Sequence, residues 1–377
     1  MNKIAIWGIK ESGEKTYSYF CNSKGYELVA AADANTDLCG MSWNGVEVVT
    51  PDILVEMARN KMFDIIVFAF RNRWVKEVAA RLCNYNNLKG YMIPTHISKF
   101  QSQFDDNSFV EIDFSKPRLK QFDVNIVDHC NMKCKGCLRY SNLVESPYFA
   151  NFNEMIRDWK RIKELFWGVE RLKIMGGEPM LSPDLCAYIQ EARAIFPDAD
   201  IMVTTNALLI NDSQKELFRT MKENGVFFDI SLYRPVEAHE DRLVDVLEQN
   251  GVWYELNHTK GNFYKIRSET PSYDPDKMYD ACTAKDCHHL REGKISVCSA
   301  PLYAHYMNER YGTILPTEDG VYNIYKLDMD AWELDSKLSH SFESCKYCAP
   351  PVEYRWDRAD SKTAKMSDWF VDSKSHG

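Results

Sequence analysis

The stretch His129-Cys130-Asn131-Met132-Lys133-Cys134-Lys135-Gly136-Cys137, HCNMKCKGC, sets three cysteines within eight positions, directly after the apolar run FDVNIVD at 122–128. Structural zinc closes its tetrahedron with a fourth cysteine or histidine at short spacing. His129 adjoins Cys130, a poor geometry for joint chelation, and no other partner lies nearby. A cubane iron–sulfur cluster held by three thiolates would leave one iron open to an outside ligand. The spacing Cys130-x3-Cys134-x2-Cys137 therefore raises the question of what fills the fourth position.

Working outward, the triplet sits at the end of the first strand in a series. FDVNIVD is followed by a helix over 152–166, strand RLKIM, a helix over 183–195 and strand DIMVTT. A helix over 212–223, strand VFFDISLY, a helix over 237–249 and strand VWYEL complete the alternation. It predicts an α/β fold with a partial (β/α)6 barrel over 116–265, whose loops at the strand C-terminal ends carry the chemistry. Three strand ends are distinctive: MGGEP at 175–179, TTNALL at 204–209 and DISLYRP at 229–235.

In order and spacing, the triplet and these strand ends closely resemble the radical S-adenosylmethionine (radical SAM) superfamily from about 120 to 260. The resemblance implies a 4Fe-4S cluster on Cys130, Cys134 and Cys137, with the open iron chelating the methionine end of S-adenosyl-L-methionine. Electron transfer would then give a 5′-deoxyadenosyl radical that abstracts hydrogen. It implies that Gly176 and Gly177 allow close backbone approach, and that Glu178 or adjacent carbonyls before Pro179 accept from the ammonium. Thr205 and Asn206 would bond ribose or carboxylate, and Ser231, Tyr233 and Arg234 would line the next strand end. One departure is Gly136, at a position often aromatic and packed on adenine. CNMKCKGCLRYS instead resembles the subset written around CNLNCKGCxHFS, associated with surface-polysaccharide pathways.

Residues 1–115 show a second alternation: KIAIWGIKESG, a helix from about Glu14 to Cys21, YELVAAAD, helix-like PDILVEMARN and strand FDIIVFAF. This predicts a small Rossmann-like parallel sheet. Gly8 and Gly13 flank the first strand-to-helix turn and Asp33 closes the second strand, which fits either a nucleotide or nucleotide-sugar site or a structural turn. The segment resembles the N-terminal domain of sugar-modifying proteins such as sialic-acid-type acetyltransferases. The polar stretch 101–120, ending SKPRLK, reads as a linker.

After about 266 the alternation gives way to a cysteine- and aromatic-rich segment. Gly293, five residues before Cys298, fits a hairpin turning KISVC back on its partner, and Cys345-x2-Cys348 closes a four-thiolate set with Cys282. The pattern resembles the Twitch domain, a shortened relative of the SPASM domain, which implies a second 4Fe-4S cluster over 266–377. Cys287 is the spare or replaces Cys282, and structural zinc, with His288 and His289 beside Cys287, stays open.

The chain has 377 residues, 45% hydrophobic and 27% charged, with formal net charge −9. That excludes the basic footprint of a nucleic-acid binder and points to a small-molecule or protein substrate. No apolar run is long enough to span a bilayer, and no signal peptide is evident, so a cytoplasmic location is expected. Of twelve cysteines, Cys21, Cys39, Cys83 and Cys186 are scattered singly and are expected to be buried small hydrophobes.

Loss of a proton and an electron from a carbinol radical gives a ketone, and reduction from the opposite face gives an epimer. Oxidation or epimerisation of a sugar, as a nucleotide sugar or in a surface polysaccharide, therefore suits two clusters. The base or hydrogen donor would be among Tyr233, Arg234, His239, His258 and Arg355, and a flavodoxin- or ferredoxin-type protein would be the reductant. The alternatives are a peptide maturase and a non-catalytic iron–sulfur electron carrier.

Overall fold

The computed structural model describes residues 2–70, 82, 88–94, 103–259 and 261–371. Cys83 and the first two residues of the expected linker lie outside them. The chain divides into two compact units, Met1–Lys120 with Lys163–Glu170 and Phe196–Asp200, and Gln121–Ile162 with Arg171–Ile195 and Ile201–Gly377. Both are α/β with parallel sheets. Among the described residues, no helix is long and apolar enough to cross a membrane.

The first unit is built on strands β1 (Lys3–Trp7), β2 (Glu27–Ala32), β3 (Ser42–Trp43), β4 (Val46–Val49), β5 (Ile65–Phe68), β6 (Lys89–Met92) and β7 (Val110–Ile112). They form one sheet in the order β3-β4-β2-β1-β5-β6-β7. Its centre is parallel and buried on both faces, so β1 and β5 read as unbroken apolar runs. The expected linker is only partly one. Val110–Ile112 pairs antiparallel with β6, because Ile112 and Phe114 have apolar side chains that bury against that sheet. The helix expected over 14–21 begins earlier, at Glu11, and widens into a π-turn over Ser18–Ser23. Cys21, Cys39 and Cys186 are half-buried rather than core residues.

In the second unit the parallel run is β8 (Arg118–Val127), β9 (Gly168–Gly176), β10 (Asp200–Thr205), β11 (Phe227–Leu232) and β12 (Tyr254–His258). Amphipathic helices over Phe152–Leu165, Leu185–Ile195, Lys215–Glu223 and Glu240–Gln249 connect them. The single helix expected over 237–249 is two pieces, Arg234–Glu237 and Glu240–Gln249, parted at His239. Strand β13 (Asn262–Arg267) follows, then β14 (His288–Arg291), β15 (Lys294–Ser296), β16 (Val321–Asn323) and β17 (Cys348–Arg355). The sheet order is β12-β11-β10-β9-β8-β14-β15-β16, while β13 and β17 pair separately and antiparallel. Thus the cysteine-rich segment extends the same sheet, with β14 parallel to β8. The expected hairpin is present: β14 and β15 pair antiparallel through Glu292-Gly293, both at positive φ, as a type I′ turn requires.

Candidate functional site

The triplet lies in the loop after β8, where the chain makes consecutive turns: Cys137 N–H donates to the Cys134 carbonyl at 3.3 Å and Tyr140 N–H to the Cys137 carbonyl at 2.8 Å. The three thiols lie within electrostatic reach of one another, and burial pushes Cys130 up to about 11 and Cys134 higher still. They line one cavity of about 480 Å3 with Gly176, Gly177, Thr204, Thr205, Asn206 and Ser231 from the next three strand ends. All three strand-end motifs therefore converge on the thiols.

The two glycines are required by backbone contact. A Cβ on Gly176 would overlap the Val127 carbonyl and one on Gly177 the His129 carbonyl. Gly177 N–H donates to Val127 at 2.8 Å and Glu178 N–H to His129 at 3.1 Å, which ties β9 to the cysteine loop. Glu178 and Pro179 do not line the cavity. The Glu178 carboxylate is buried and accepts from Thr205 Oγ1 at 2.7 Å, Asn206 N–H at 2.9 Å and Met180 N–H at 3.1 Å. Burial raises its pKa to about 7. The carboxylate braces the β10 end. Asn206 in turn donates from Nδ2 to Asn131 Oδ1 at 2.9 Å and to Cys130 Sγ at 3.6 Å.

The other expected site residues separate. Tyr233 and His258 line the cavity, whereas His239 lines a different hollow with Pro235 and Arg242. Arg234 and Arg355 are exposed and line neither. His258 is exposed, 3.6 Å from Glu240. In the first unit, Gly8, Gly13 and Asp33 do meet at one turn. Gly13 packs on the Gly8 carbonyl, and Asp33 accepts from Ile9 N–H at 3.2 Å and Asn35 N–H at 2.9 Å. These contacts hold the turn together.

Sequence reading missed the braces on the triplet. Trp356 Nε1–H donates to Cys134 Sγ at 3.2 Å, and Trp369 Nε1–H to the Cys137 carbonyl at 2.8 Å. Lys135 N–H donates to Asp357 and Ala359 N–H to Lys133. Gly136, at φ +65°, has no room for a side chain, because Tyr354 and the Asp368 carbonyl occupy the place. Tyr233, Phe263 and Tyr354 form an aromatic row with centroids 5.6 and 5.8 Å apart beside the thiols. Aromatic density in the tail was the one available signal.

Also missed was Arg139, which lines the cavity and reaches into the sheet interior. It donates to Asn125 Oδ1 at 3.2 Å and Asp123 Oδ2 at 3.4 Å, and bonds His289. Burial lowers His289 to about 4, so it stands neutral there.

The second thiol set comes together from four elements. Cys282 follows the helix Pro275–Asp280, Cys298 caps the helix Ser299–Tyr311, Cys345 lies in the 3-10 turn Glu343–Tyr347 and Cys348 starts β17. Burial pushes Cys345 up to about 12, and Cys348, Cys298 and Cys282 push it in the same direction. Cys287 is apart from them. It accepts from Gln121 Nε2 at 3.2 Å, and its charged neighbours are Asp123, Lys173, Arg139 and Asp286. His288 and His289 are committed to Val297 and to Asp123 with Arg139. Among the described residues, no three His, Cys, Asp or Glu side chains could hold one metal ion. A tetranuclear cluster asks instead for one thiolate per iron, and its donors are then spread around the cube. Three thiols beside an open cavity, and four together elsewhere, fit that donor chemistry.

Residues 124–283 match the family model described as the radical SAM superfamily. This segment is a radical SAM superfamily domain. The radical SAM segment is similar to the GTP 3',8-cyclase of Sulfurovum sp. (strain NBC37-1), 31% identical over 131 residues, 33% of this chain and 38% of that protein. It is also similar to the GTP 3',8-cyclase of Staphylococcus haemolyticus (strain JCSC1435), 32% identical over 141 residues, 35% of this chain and 41% of that protein. The chain thus spans less than half the length of these relatives. A solved structure of BtrN in complex with AdoMet and 2-DOIA aligns over 62% of this chain and 94% of that one, at 13% identity and TM-score 0.39. At that score the likeness carries no argument about this chain.

Proposed function

We propose that the chain is a two-cluster radical SAM enzyme that abstracts hydrogen from a sugar, carried as a nucleotide sugar or within a surface-polysaccharide precursor, and oxidises or epimerises it. Cys130, Cys134 and Cys137 would hold the first cluster, and Cys282, Cys298, Cys345 and Cys348 the second. With S-adenosylmethionine bound, the first cluster would supply on one-electron reduction a 5′-deoxyadenosyl radical for hydrogen abstraction. The chain's residues prepare its place. Gly176 and Gly177 let β9 pack directly on the cysteine loop, Glu178 fixes Thr205 and Asn206, and the Tyr233–Phe263–Tyr354 row offers an apolar face for a purine. Trp356 and Asn206 donate to thiol sulfurs, which steadies the donor set.

The observation that carries the sugar reading is the chemistry of the cavity wall. Beyond the thiols it sets the hydroxyls and amides of Ser141, Ser231 and Asn262 and the His258 imidazole among the apolar side chains of Met132, Leu138, Met175 and Phe263, a mixed wall that suits the polar edge and apolar face of a sugar ring. A second reading is a nucleoside triphosphate, since the relatives named above are GTP 3',8-cyclases. Among the described lining residues, however, Arg139 is the one Lys or Arg, and it is already paired with Asp123. A polyphosphate inside the cavity would meet little positive charge, so a nucleotide sugar would place its sugar there and keep its diphosphate outside.

Anaerobic reconstitution with iron, sulfide, S-adenosylmethionine and dithionite tests this. Deuterium is expected to pass from a carbinol C–D of a nucleotide sugar into 5′-deoxyadenosine. Transfer from GTP or from a peptide, with none from any sugar, would overturn the sugar reading. Absence of 5′-deoxyadenosine from iron-loaded protein would overturn the radical reading as well.

A further inference from the structure

Arg267 is a buried guanidinium set into the second thiol group. It ends β13, and its Cα partner across the antiparallel pair is Cys348. Nη1 donates to Cys348 Sγ at 3.1 Å. Cys298 and Cys282 also lie within its electrostatic reach, as does Tyr140. Among the described residues its Nε–H is buried without a hydrogen-bond partner. A buried cation needs compensating negative charge, and a buried donor needs an acceptor. Four neutral thiols supply neither in full.

A four-thiolate cluster supplies both, because its thiolates and sulfides are anionic acceptors. Arg267 with Tyr140, Ala300, Ser344 and Tyr347 lines a small cavity bordered in sequence by Cys298, Cys345 and Cys348. The guanidinium therefore stands where it would feel each electron added to such a cluster. Reduction adds one negative charge, so a fixed cation stabilises the reduced form more than the oxidised form, the more so in a dry interior. Charge and hydrogen bonds to sulfur are known levers on these potentials.

We propose that Arg267 sets the reduction potential of the auxiliary cluster, raising it through its fixed positive charge and its bond to Cys348. The proposal rests on the two-cluster reading above. Arg267 acts through the cluster, as a positioning and tuning residue.

The test uses the full chain with C130A, C134A and C137A together, so that the second thiol set alone can bind a cluster. About four irons per chain are expected from the tetranuclear stoichiometry. In a redox titration followed by electron paramagnetic resonance, R267Q is expected to shift the reduction equilibrium at least tenfold toward the oxidised form, about 59 mV downward for one electron. R267K, which keeps the charge and loses the planar fork, is expected to shift it less. An unchanged potential in R267Q at full iron loading would overturn the role of Arg267 and leave the two-cluster reading intact. If R267Q does not take up iron, R267M, which also removes the charge, decides, and an unchanged potential there overturns the proposal equally. No iron in the parent, or about one zinc, would sink both.

Discussion

Tyr354 closes over Gly136: its hydroxyl donates to the Lys135 carbonyl at 2.6 Å and fills the space a side chain at 136 would need. The residue between the second and third thiols that departs from an aromatic pattern is thus explained by a tyrosine more than two hundred positions away. G136A meets two penalties, a left-handed φ of +65° worth about 1–2 kcal/mol and overlap with Tyr354 and Asp368. Urea unfolding of the metal-free chain is expected to show at least that loss. Y354F removes one hydrogen bond and keeps the shape, so about 1 kcal/mol is expected. Equal stability of G136A and the parent would contradict the packing.

Glu178 should matter to the site through its hydrogen bonds to Thr205, Asn206 and Met180. E178A leaves Thr205 Oγ1, Asn206 N–H and Met180 N–H short of their acceptor, and unsatisfied buried groups cost about 1–3 kcal/mol each. Since the folded carboxyl titrates near 7 rather than 4.5, its stabilising contribution is full below about pH 4.5 and is lost as pH rises through 7. E178Q removes that titration. The stability difference between parent and E178Q is expected to move against the parent from pH 4.5 to 7, read by urea midpoints; a constant difference would refute the assignment.

His289 carries the opposite sign. Burial and the guanidinium groups of Arg139 and Arg291 hold it near 4, against an ordinary 6.5, while Asp123 pulls it upward and Tyr303 packs edge-on to its ring. A depressed histidine contributes stability above pH 6.5 that is lost as pH falls through 4. The conversion gives about 3 kcal/mol across that window. H289Q is expected to lose this acid sensitivity, measured as the pH dependence of unfolding free energy relative to the parent. An identical slope in H289Q would show that the imidazole is not the titrating group.

The thiol assignment predicts an asymmetry between neighbours in sequence. C287A is expected to keep its full iron complement, because Cys287 faces Gln121 and Asp123 rather than the other thiols. C348A should lose about four irons, given one cluster per four thiolates. Iron and labile sulfide assays on reconstituted protein decide this, and equal loss in both variants would return Cys287 to the ligand set.

The sequence determined the parts whose signal is local. Alternating apolar strands and amphipathic helices specify the two parallel sheets, since burial on both faces leaves unbroken runs such as IIVF in β5. The triplet, the Gly-Gly step and the Glu292-Gly293 hairpin were legible because each depends on a few adjacent φ/ψ values or contacts. Tertiary structure decided what depends on distant chain segments meeting. It joined Glu178 to Thr205 and Asn206, set Cys287 against Gln121, brought Arg139 to the cavity, and placed Tyr354, Trp356 and Trp369 around the triplet. Hydrogen bonds and buried charges are satisfied by whatever folding brings near them, and one-dimensional spacing does not encode that.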